Sequence, residues 1–318
     1  MSSVSSPASR AARVTARRGK SSIGRQEAVI AYLFLAPWIV GFVVFVAGPI
    51  IASLGLSLST YDIVKPPEFI GLDNYVRAFT KDPLFWPSIF RTFEYALVIV
   101  PVGVGGALLV ALLLNQSLRF TNIYRTVFFL PHLTPVVAAV FIWTWLLQPQ
   151  YGFVNEVLFR LFHTIGPGWF LAKEWAIPSL ILVALWGTIG GNMMMIFLAG
   201  LQGVPKDLYD VASIDGAGPW QRFISITLPM LSPTLFFNTV LAIIGALQTF
   251  TTAFIATQGG PAYASWFYAL HIYTTAFSFG EYGYAAALAW LFFAVLVGFT
   301  FVQFRASTRW VYYASEVE

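Results

Sequence analysis

Six stretches of about twenty or more residues, apolar and nearly free of charge, dominate the chain; they run over 28–58, 93–114, 126–147, 177–201, 231–255 and 284–304. A helix rises about 1.5 Å per residue, so each stretch is long enough to cross about 30 Å of hydrocarbon. Charged residues make up 10% of the chain, whereas soluble domains contain roughly 25%. The sequence therefore predicts an all-α membrane protein with about six transmembrane helices.

A basic segment precedes the first apolar stretch. Its bases stand among serines and alanines, and they are Arg10, Arg13, Arg17, Arg18, Lys20 and Arg25. Because such a segment has too little apolar content to build a core, residues 1–27 are predicted to be a disordered basic tail. The stretch that follows is too long for a cleaved signal peptide, whose apolar core has about 7–15 residues. We expect it to span the membrane and remain, as the first part of a transmembrane domain over 28–306, with a short tail over 307–318.

The distribution of bases predicts the orientation. With the N-terminus in the cytoplasm, twelve Lys and Arg residues lie inside and six outside; without the tail the numbers are six and six. The positive-inside rule therefore favours cytoplasmic N- and C-termini, and it does so through the tail.

No catalytic site is visible in the sequence. The chain has no cysteine, and its three histidines, His132, His163 and His271, are dispersed. The phosphate-binding pattern Gly-x4-Gly-Lys-Ser/Thr is missing. The nearest glycine cluster, at 103–106, has no lysine and favours close packing of membrane helices. We expect a protein that is not an enzyme, has no metal site and obtains its energy elsewhere.

The loop over 202–230 is polar and unusually long for a connection between helices, which normally takes about 2–8 residues. It predicts two short helices. The first begins at Pro205 and is ended by Gly216 in the left-handed conformation, with an apolar stripe of Leu208, Val211 and Ala212. The second begins at Gly218-Pro219, carries a stripe of Trp220, Phe223 and Ile224, and is stopped by Pro229.

Two interpretations of this loop are open: it lies on the membrane surface, or it docks to another protein. It contains the only acids in the predicted cytoplasmic loops between spans, Asp207, Asp210 and Asp215. Acidic side chains suit a basic protein partner better than anionic lipid. The composition favours docking.

One pattern in the loop resembles the "EAA" loop of ABC importer permeases; it consists of Asp210-Val211-Ala212, three residues, Gly216, nine residues and Ile226-Thr227-Leu228-Pro229. Asp210 stands where that family has Glu, and Val211 where it has Ala, and both keep the chemical type. Further motifs are similar to carbohydrate-importer permeases of the maltose and glycerol-phosphate type: Gly71-Leu72-Asp73-Asn74-Tyr75, Tyr124-Arg125, Phe128-Phe129-Leu130-Pro131, Tyr151-Gly152 with Asn155, Gly259-Gly260-Pro261 and Gly283-Tyr284.

The resemblance implies a type I ABC importer permease in a prokaryotic plasma membrane, with a cytoplasmic coupling helix held in a groove of a separate ATPase. It implies the partners as well: a second permease subunit, a dimer of ATP-binding subunits, an extracytoplasmic solute-binding protein and the bilayer, but no nucleic acid. ATP would be used by the partner, and this chain would bind no cofactor. The residues implied in coupling are Leu208, Tyr209, Asp210, Val211, Ala212, Asp215, Gly216, Ile226, Leu228 and Pro229. Asp210 would pair with a base, and Gly216 would form a turn that a side chain obstructs.

Polar side chains inside spans four and five are candidates for a solute path, since such groups face a bundle interior or a water-filled cavity. They are Trp186, Asn192, Gln248, Thr249 and Thr252. Gln248 and Thr252 are four residues apart, which places them on one face of a helix. Amides and hydroxyls beside aromatic rings suit a sugar, and ordinary hydrogen bonding between helices is the alternative for each residue.

Two other classes of membrane protein predict different sequence features. A self-sufficient ion-coupled transporter predicts charges inside the spans and internal repeats, and neither is evident. A membrane-anchored enzyme or scaffold predicts a catalytic cluster or a sizeable soluble domain, and the sequence contains neither.

Overall fold

The computed structural model describes residues 22–116 and 119–312, and the chain divides into two compact units, Met1–Ser53 and Leu54–Glu318. The first unit contains α1 (Ser22–Phe42) and a π-helical turn (Val43–Ala47). The chain continues as α2 (Gly48–Ser57), so that Glu27–Ser57 is one apolar helix of 31 residues. The helix thus begins at Ser22 rather than at residue 28, and the predicted tail up to residue 21 lies outside the described residues.

The second unit starts with a small antiparallel pair, β1 (Ser59–Thr60) and β2 (Glu68–Phe69), and is otherwise helical in the described residues. Its helices are α3 (Asp73–Thr80), α4 (Phe85–Leu114), α5 (Thr121–Leu133), α6 (Val136–Leu146), α7 (Phe153–Phe162), α8 (Ala176–Thr188), α9 (Asn192–Gln202), α10 (Lys206–Ile214), α11 (Pro219–Arg222), α12 (Leu228–Met230), α13 (Ser232–Leu247), α14 (Thr251–Ala256), α15 (Tyr268–Tyr273) and α16 (Tyr282–Ser307). A 3-10 turn (Trp169–Leu171) and two π-helical turns (Phe223–Thr227 and Thr274–Ser278) complete the order.

Four helical segments of the described chain are long and apolar enough to cross a membrane: Glu27–Ser57, Phe85–Leu114, Ser232–Ala256 and Tyr282–Ser307. Two bent pairs, α5 with α6 at 93° and α8 with α9 at 46°, have the length and composition of two more spans if each pair is counted as one. The prediction of an all-α membrane protein is confirmed, and the described chain has four to six candidate spans, of which the upper number equals the predicted six.

Two of the predicted spans lie in helices whose form differs from the expectation. The helix that contains the second predicted span begins at Phe85, eight residues before residue 93, and carries the exposed ion pair of Arg91 and Glu94 at 2.6 Å. The third is broken between α5 and α6. Thr134 is extended there, with ψ 126°, since the residue before a proline is excluded from the helical region.

Helix α4 is the central element of the second unit and packs against α8, α9, α13 and α15. A Cβ added at Gly106 would lie 3.0 Å from the side chain of Ile189, and one at Gly103 would lie 3.3 Å from that of Thr188. The glycine cluster therefore allows α4 to approach the end of α8 closely, as the sequence predicted.

Two asparagines from the short motifs outside the long loop connect separate parts of the fold through hydrogen bonds. Asn74 donates from Nδ2 to the carbonyl oxygens of Ser57 and Ser59, both at 2.9 Å, and so fastens α3 to the end of α2. Asn155 accepts from the indole N–H of Trp169 at 2.7 Å. Both amides are buried, and their hydrogen bonds make these positions intolerant of apolar replacement.

A buried polar cluster joins the loop before α4 to α15 and α16. Asp82 accepts hydrogen bonds from Tyr284 Oη at 2.6 Å, from His271 Nε2 at 2.8 Å and from the backbone N–H of Leu84 at 2.8 Å. His271 Nδ1 accepts from the indole of Trp266, which can only donate, so Nε2 carries the hydrogen. Burial alone would raise the pKa of Asp82, but these hydrogen bonds and the nearby imidazole outweigh it and hold the pKa below its usual value.

Candidate functional site

The loop between the fourth and fifth spans forms two helical arms. The first arm is α10, which starts one residue after Pro205 and ends at Ile214, with Asp215 as its C-cap. The second arm starts with Pro219 as its first helical residue, and the N–H of Gly218 is capped by Gln221 Oε1 at 2.9 Å. Two short helices were predicted from the sequence, and their beginnings are where the prolines place them.

The outer face of α10 is apolar with an acid beside it. Leu208 and Val211 are 42% and 58% exposed, and Asp210 is exposed and forms no ion pair with any described residue. Ala212, from the predicted stripe, is half-buried, and the exposed apolar surface extends instead to Ile214, which is 86% exposed and was not predicted from the sequence. Its signal was the helical spacing of 208, 211 and 214. An unpartnered apolar face with a free carboxylate is suited to docking on a protein with a basic groove.

Gly216 has φ +76°, the left-handed conformation that its position at the end of α10 predicted. The reason for glycine differs from the expectation, however. A Cβ at this position would have nothing within 4 Å, so no neighbouring atom obstructs a side chain. The constraint is the backbone dihedral angle itself, which costs an L-residue about 1–2 kcal/mol.

The prediction that Pro229 stops the second arm is wrong. The arm runs from α11 through the π-helical turn Phe223–Thr227 into α12, and α13 follows after Leu231. Ile226, Leu228 and Pro229 are half-buried within it. The π-helical turn widens the helix just before the proline, where the ring would otherwise meet the carbonyl four residues back. The loop is therefore joined to the fifth span by nearly uninterrupted helix.

Hydrogen bonds close the two arms on each other. Tyr209 Oη lies 2.9 Å from Thr227 Oγ1, which connects α10 to the π-helical turn. Arg222 donates from Nε to the carbonyl oxygen of Ala217 at 2.8 Å and so braces the turn between the arms.

A second candidate site is a cavity of about 480 Å³ between α4, α5, α6, α8, α9, α13 and α14. This volume lies in the range of small-molecule sites, about 300–1,000 Å³. Trp186, Asn192 and Thr252 line it, as the sequence suggested for a solute path. Trp186 packs edge-on against Trp143 at 5.9 Å, which fixes the plane of its ring.

Gln248 and Thr249 do not line the cavity. The helix of span five breaks between α13 and α14, so residues 248–250 are not helical. The argument that Gln248 and Thr252 share one helical face is therefore wrong: Gln248 is exposed, whereas Thr252 is part of the cavity wall.

The cavity wall also contains polar residues outside the set predicted for the solute path, among them His132, Thr134, Thr188 and Asn238. Asn238 is fully buried; its Nδ2 donates to the carbonyl oxygen of Met193 at 3.4 Å, and its Oδ1 has no protein partner in the described part of the chain. A buried acceptor of this kind is normally satisfied by water or a ligand. Asn238 could be recognised as a polar residue within a span, whereas His132 and Thr134 reach the cavity through the bend between α5 and α6.

Two glycines allow α5 to pass close to the break between α8 and α9. Gly190 and Gly191 lie in the break between α8 and α9, where α5 passes against them. A Cβ at Gly190 would overlap the carbonyl oxygen of Phe128, and one at Gly191 would lie 2.7 Å from His132 Nδ1. The glycine pair thus lets the backbone of α5 touch the broken span.

These features together describe a helical membrane protein with an exposed apolar face on its long loop and a mostly apolar cavity that holds several uncharged polar side chains. Residues 103–311 match the family described as "Binding-protein-dependent transport system inner membrane component". The match covers more than half of the chain, and the protein belongs to this family, whose members are membrane components of transport systems rather than enzymes in themselves.

Relatives cover nearly the whole chain. It is 39% identical over 301 residues to the "Probable ABC transporter permease protein YesP" of Bacillus subtilis (strain 168), covering 94% of this chain and 97% of that protein. It is 34% identical over 281 residues to the sulfoquinovosyl glycerol transport system permease protein SmoG of Agrobacterium fabrum, covering 88% and 90%.

The fold matches a solved transporter. A chain of the bacterial alginate ABC transporter, in complex with an alginate pentasaccharide-bound periplasmic protein, superimposes with a TM-score of 0.81 at 22% identity, covering 92% of this chain and 98% of that one. At this identity the comparison shows the fold, and it confirms the expected ABC importer permease architecture.

Proposed function

We propose that this protein is the permease subunit of a binding-protein-dependent ABC importer and forms half of the pathway for a sugar or sugar-derived solute. The observation that carries the proposal is the nearly continuous helical path from the loop to the fifth span. The exposed arm α10 is joined through the second arm to α13, and α13 supplies Asn238 to the wall of the cavity. A force applied to the loop therefore has a helical route to the solute path.

The chemistry of the cavity supports a sugar. Uncharged donors and acceptors on Asn192, Thr252 and Asn238 stand near the indole of Trp186, and this combination suits hydroxyl groups and the apolar face of a pyranose ring. Relatives that are named for a solute point the same way: SmoG is named for sulfoquinovosyl glycerol, and LacF of Rhizobium radiobacter, 34% identical over 297 residues, for lactose.

Energy would come from a separate ATPase docked on Leu208, Val211 and Ile214, with Asp210 facing a base on that subunit. This chain would bind no cofactor and catalyse no reaction. A second permease would complete the pathway, and an extracytoplasmic binding protein would deliver solute on the other side. The termini would lie in the cytoplasm of a prokaryotic cell, which places α10 on the same side of the membrane as ATP.

Cycles of the ATPase would then alternate the exposure of the cavity between the two sides of the membrane. A self-sufficient ion-coupled transporter is disfavoured, because the family is one of binding-protein-dependent systems. The described wall of the cavity also contains no Asp, Glu, Lys or Arg that would carry a coupling ion.

Affinity purification from native membranes tests the proposal. The tagged wild type is expected to bring down an ATP-binding subunit and a second permease. Asp210→Arg reverses the docking charge and should lose the ATPase while keeping the second permease. Glu68→Arg, on exposed β2 and well apart in sequence from the loop, makes the same change of charge and should keep both. A wild type that purifies alone and transports sugar in liposomes without ATP would refute the proposal.

A further inference from the structure

Tyr209 occupies a different position from the other residues predicted to couple. Leu208, Asp210 and Val211 are exposed, whereas Tyr209 is half-buried and its hydroxyl lies 2.9 Å from Thr227 Oγ1. Among the described residues, no other side chain of α10 forms a hydrogen bond outside that helix. Tyr209 therefore points away from the docking face and into the chain itself.

The partner, Thr227, is shielded from solvent. It is 5% exposed and lies at the end of the π-helical turn, and its hydroxyl also approaches the carbonyl oxygen of Arg222 at 3.5 Å. If the threonine donates to that carbonyl, the tyrosine donates to the threonine, and both hydroxyls are satisfied. A hydrogen bond in such a shielded place is not exchanged cheaply for one with water.

The two arms have one covalent connection, the turn from Asp215 to Gly218, with Gly216 in the left-handed conformation. The hydrogen bond from Arg222 to Ala217 holds the second half of this turn. Gly216 precedes that bond, and because glycine backbone angles change easily, the turn transmits a lateral displacement of α10 poorly. The Tyr209–Thr227 contact connects the middle of α10 to the second arm and bypasses that turn. From Thr227 the helix proceeds through α12 towards α13 and Asn238.

We propose that Tyr209 and Thr227 are a positioning pair that transmits the movement of docked α10 to α13. The pair does not hold the ATPase; it makes the loop move the fifth span when the ATPase moves the loop. Its loss should leave assembly and ATP hydrolysis in place and lower the amount of solute moved per ATP. This inference rests on the proposed function and assigns it an internal contact.

The test uses the whole transporter, purified with its partners and reconstituted in liposomes with the binding protein and the sugar it delivers. Tyr209→Phe and Thr227→Val each remove one hydroxyl and preserve side-chain volume. A net hydrogen bond is worth enough to expect about a fivefold fall in solute transported per ATP hydrolysed for each variant. The double variant should fall no further than either single variant, because both lose the same contact.

Two controls separate transmission from folding. Thr227→Ser keeps the hydroxyl and should restore the ratio of transport to hydrolysis. Ser213→Ala removes a hydroxyl of the same helix whose only described hydrogen bond is to the carbonyl oxygen of Tyr209 within α10, and it should behave as wild type. The amount of co-purified ATPase and the melting temperature are measured on the same samples.

Three results would overturn the inference. Single variants that keep the wild-type ratio would show that the contact transmits nothing. Effects that multiply in the double variant, to about 25-fold, would show that the two hydroxyls act separately. Loss of the ATPase from Tyr209→Phe would make Tyr209 a docking residue instead. Failure of the wild type to bind any ATPase is a different result, since it refutes the proposed function itself.

Discussion

Replacing Gly190 by alanine adds a single methyl group at the place where α5 passes the broken fourth span. The new Cβ would lie 2.7 Å from the carbonyl carbon of Phe128 and closer still to its oxygen. Carbon atoms in contact normally lie about 3.5–4.0 Å apart, so the two backbones must separate by about 1 Å. Because the obstacle is backbone, no side-chain rotation relieves it.

Overpacking of this kind costs typically about 1–3 kcal/mol. With a cost of about 2 kcal/mol, and about 2–4 °C per kcal/mol for a large domain, Gly190→Ala should melt about 6 °C below the wild type. The measurement is a thermal unfolding curve of the purified protein in one detergent, followed by loss of the monodisperse peak in gel filtration.

Gly187→Ala is the matched control, three residues earlier in the same span. Nothing lies within 4 Å of a Cβ at that position, which is inside α8. Alanine is favoured over glycine in a helix by about 0.5–1 kcal/mol, so this variant should melt at or slightly above the wild-type temperature. A Gly190→Ala protein that melts with the wild type, or with Gly187→Ala, would refute the argument from backbone contact.

Three further outcomes are expected. Asn192→Ala should reduce sugar transport while ATPase binding persists, and Gln248→Ala, which lies outside the cavity, should transport like the wild type; equal losses in uptake assays would contradict the assignment of the cavity. Gly216→Ala should lower transport because of its φ of +76°, whereas Gly216→Asn, which tolerates the left-handed region, should lower it less; the reverse ranking would point to a steric rather than a conformational constraint. The low pKa of Asp82 stabilises the fold above the ordinary aspartate pKa of about 3.9, and this stability is lost as pH falls through the lower folded value. The melting temperature of the wild type should thus fall on acidification, and Asp82→Asn should melt lower at pH 7 with a weaker acid dependence; an unchanged pH profile in the variant would contradict this.

The two helical arms of the loop over 202–230 could be predicted from sequence because their determinants are local. A proline at the start of each arm and a glycine at the end of the first act within one turn of helix, and each was found at or next to its expected position. The break before α6 also follows from a local sequence signal, because Pro135 forces Thr134 out of the helix.

The cavity was predicted only in part, since its residues meet through tertiary structure. Nothing in the sequence around Thr249 and Phe250 marks a helix end, for neither a proline nor a glycine stands there. The spacing of Gln248 and Thr252 consequently led to the wrong prediction that they share one helical face. His132 enters the cavity through the bend between α5 and α6, and a 93° change of direction cannot be derived from periodicity.

The prediction that Pro229 ends the second arm failed for another reason. Prolines usually end helices, yet the π-helical turn at Phe223–Thr227 lets the helix continue through Pro229. The π-helical turn at Val43–Ala47 likewise ends two residues before Pro49. A π-helical turn has no simple sequence signature, so the pattern of a stop and the pattern of a continuous helix look alike.

The π-helical turn before Pro229 also keeps the rotational phase of α13. Such a turn holds about one residue more than a turn of regular α-helix, so the extra residue in Phe223–Thr227 is absorbed locally. A residue inserted into the regular helix of α13 before Asn238 has no such turn to absorb it and would rotate Asn238 and Gly245 by about 100° relative to the cavity. The same one-residue change in length is thus tolerated at the π-helical turn and disruptive a few residues later.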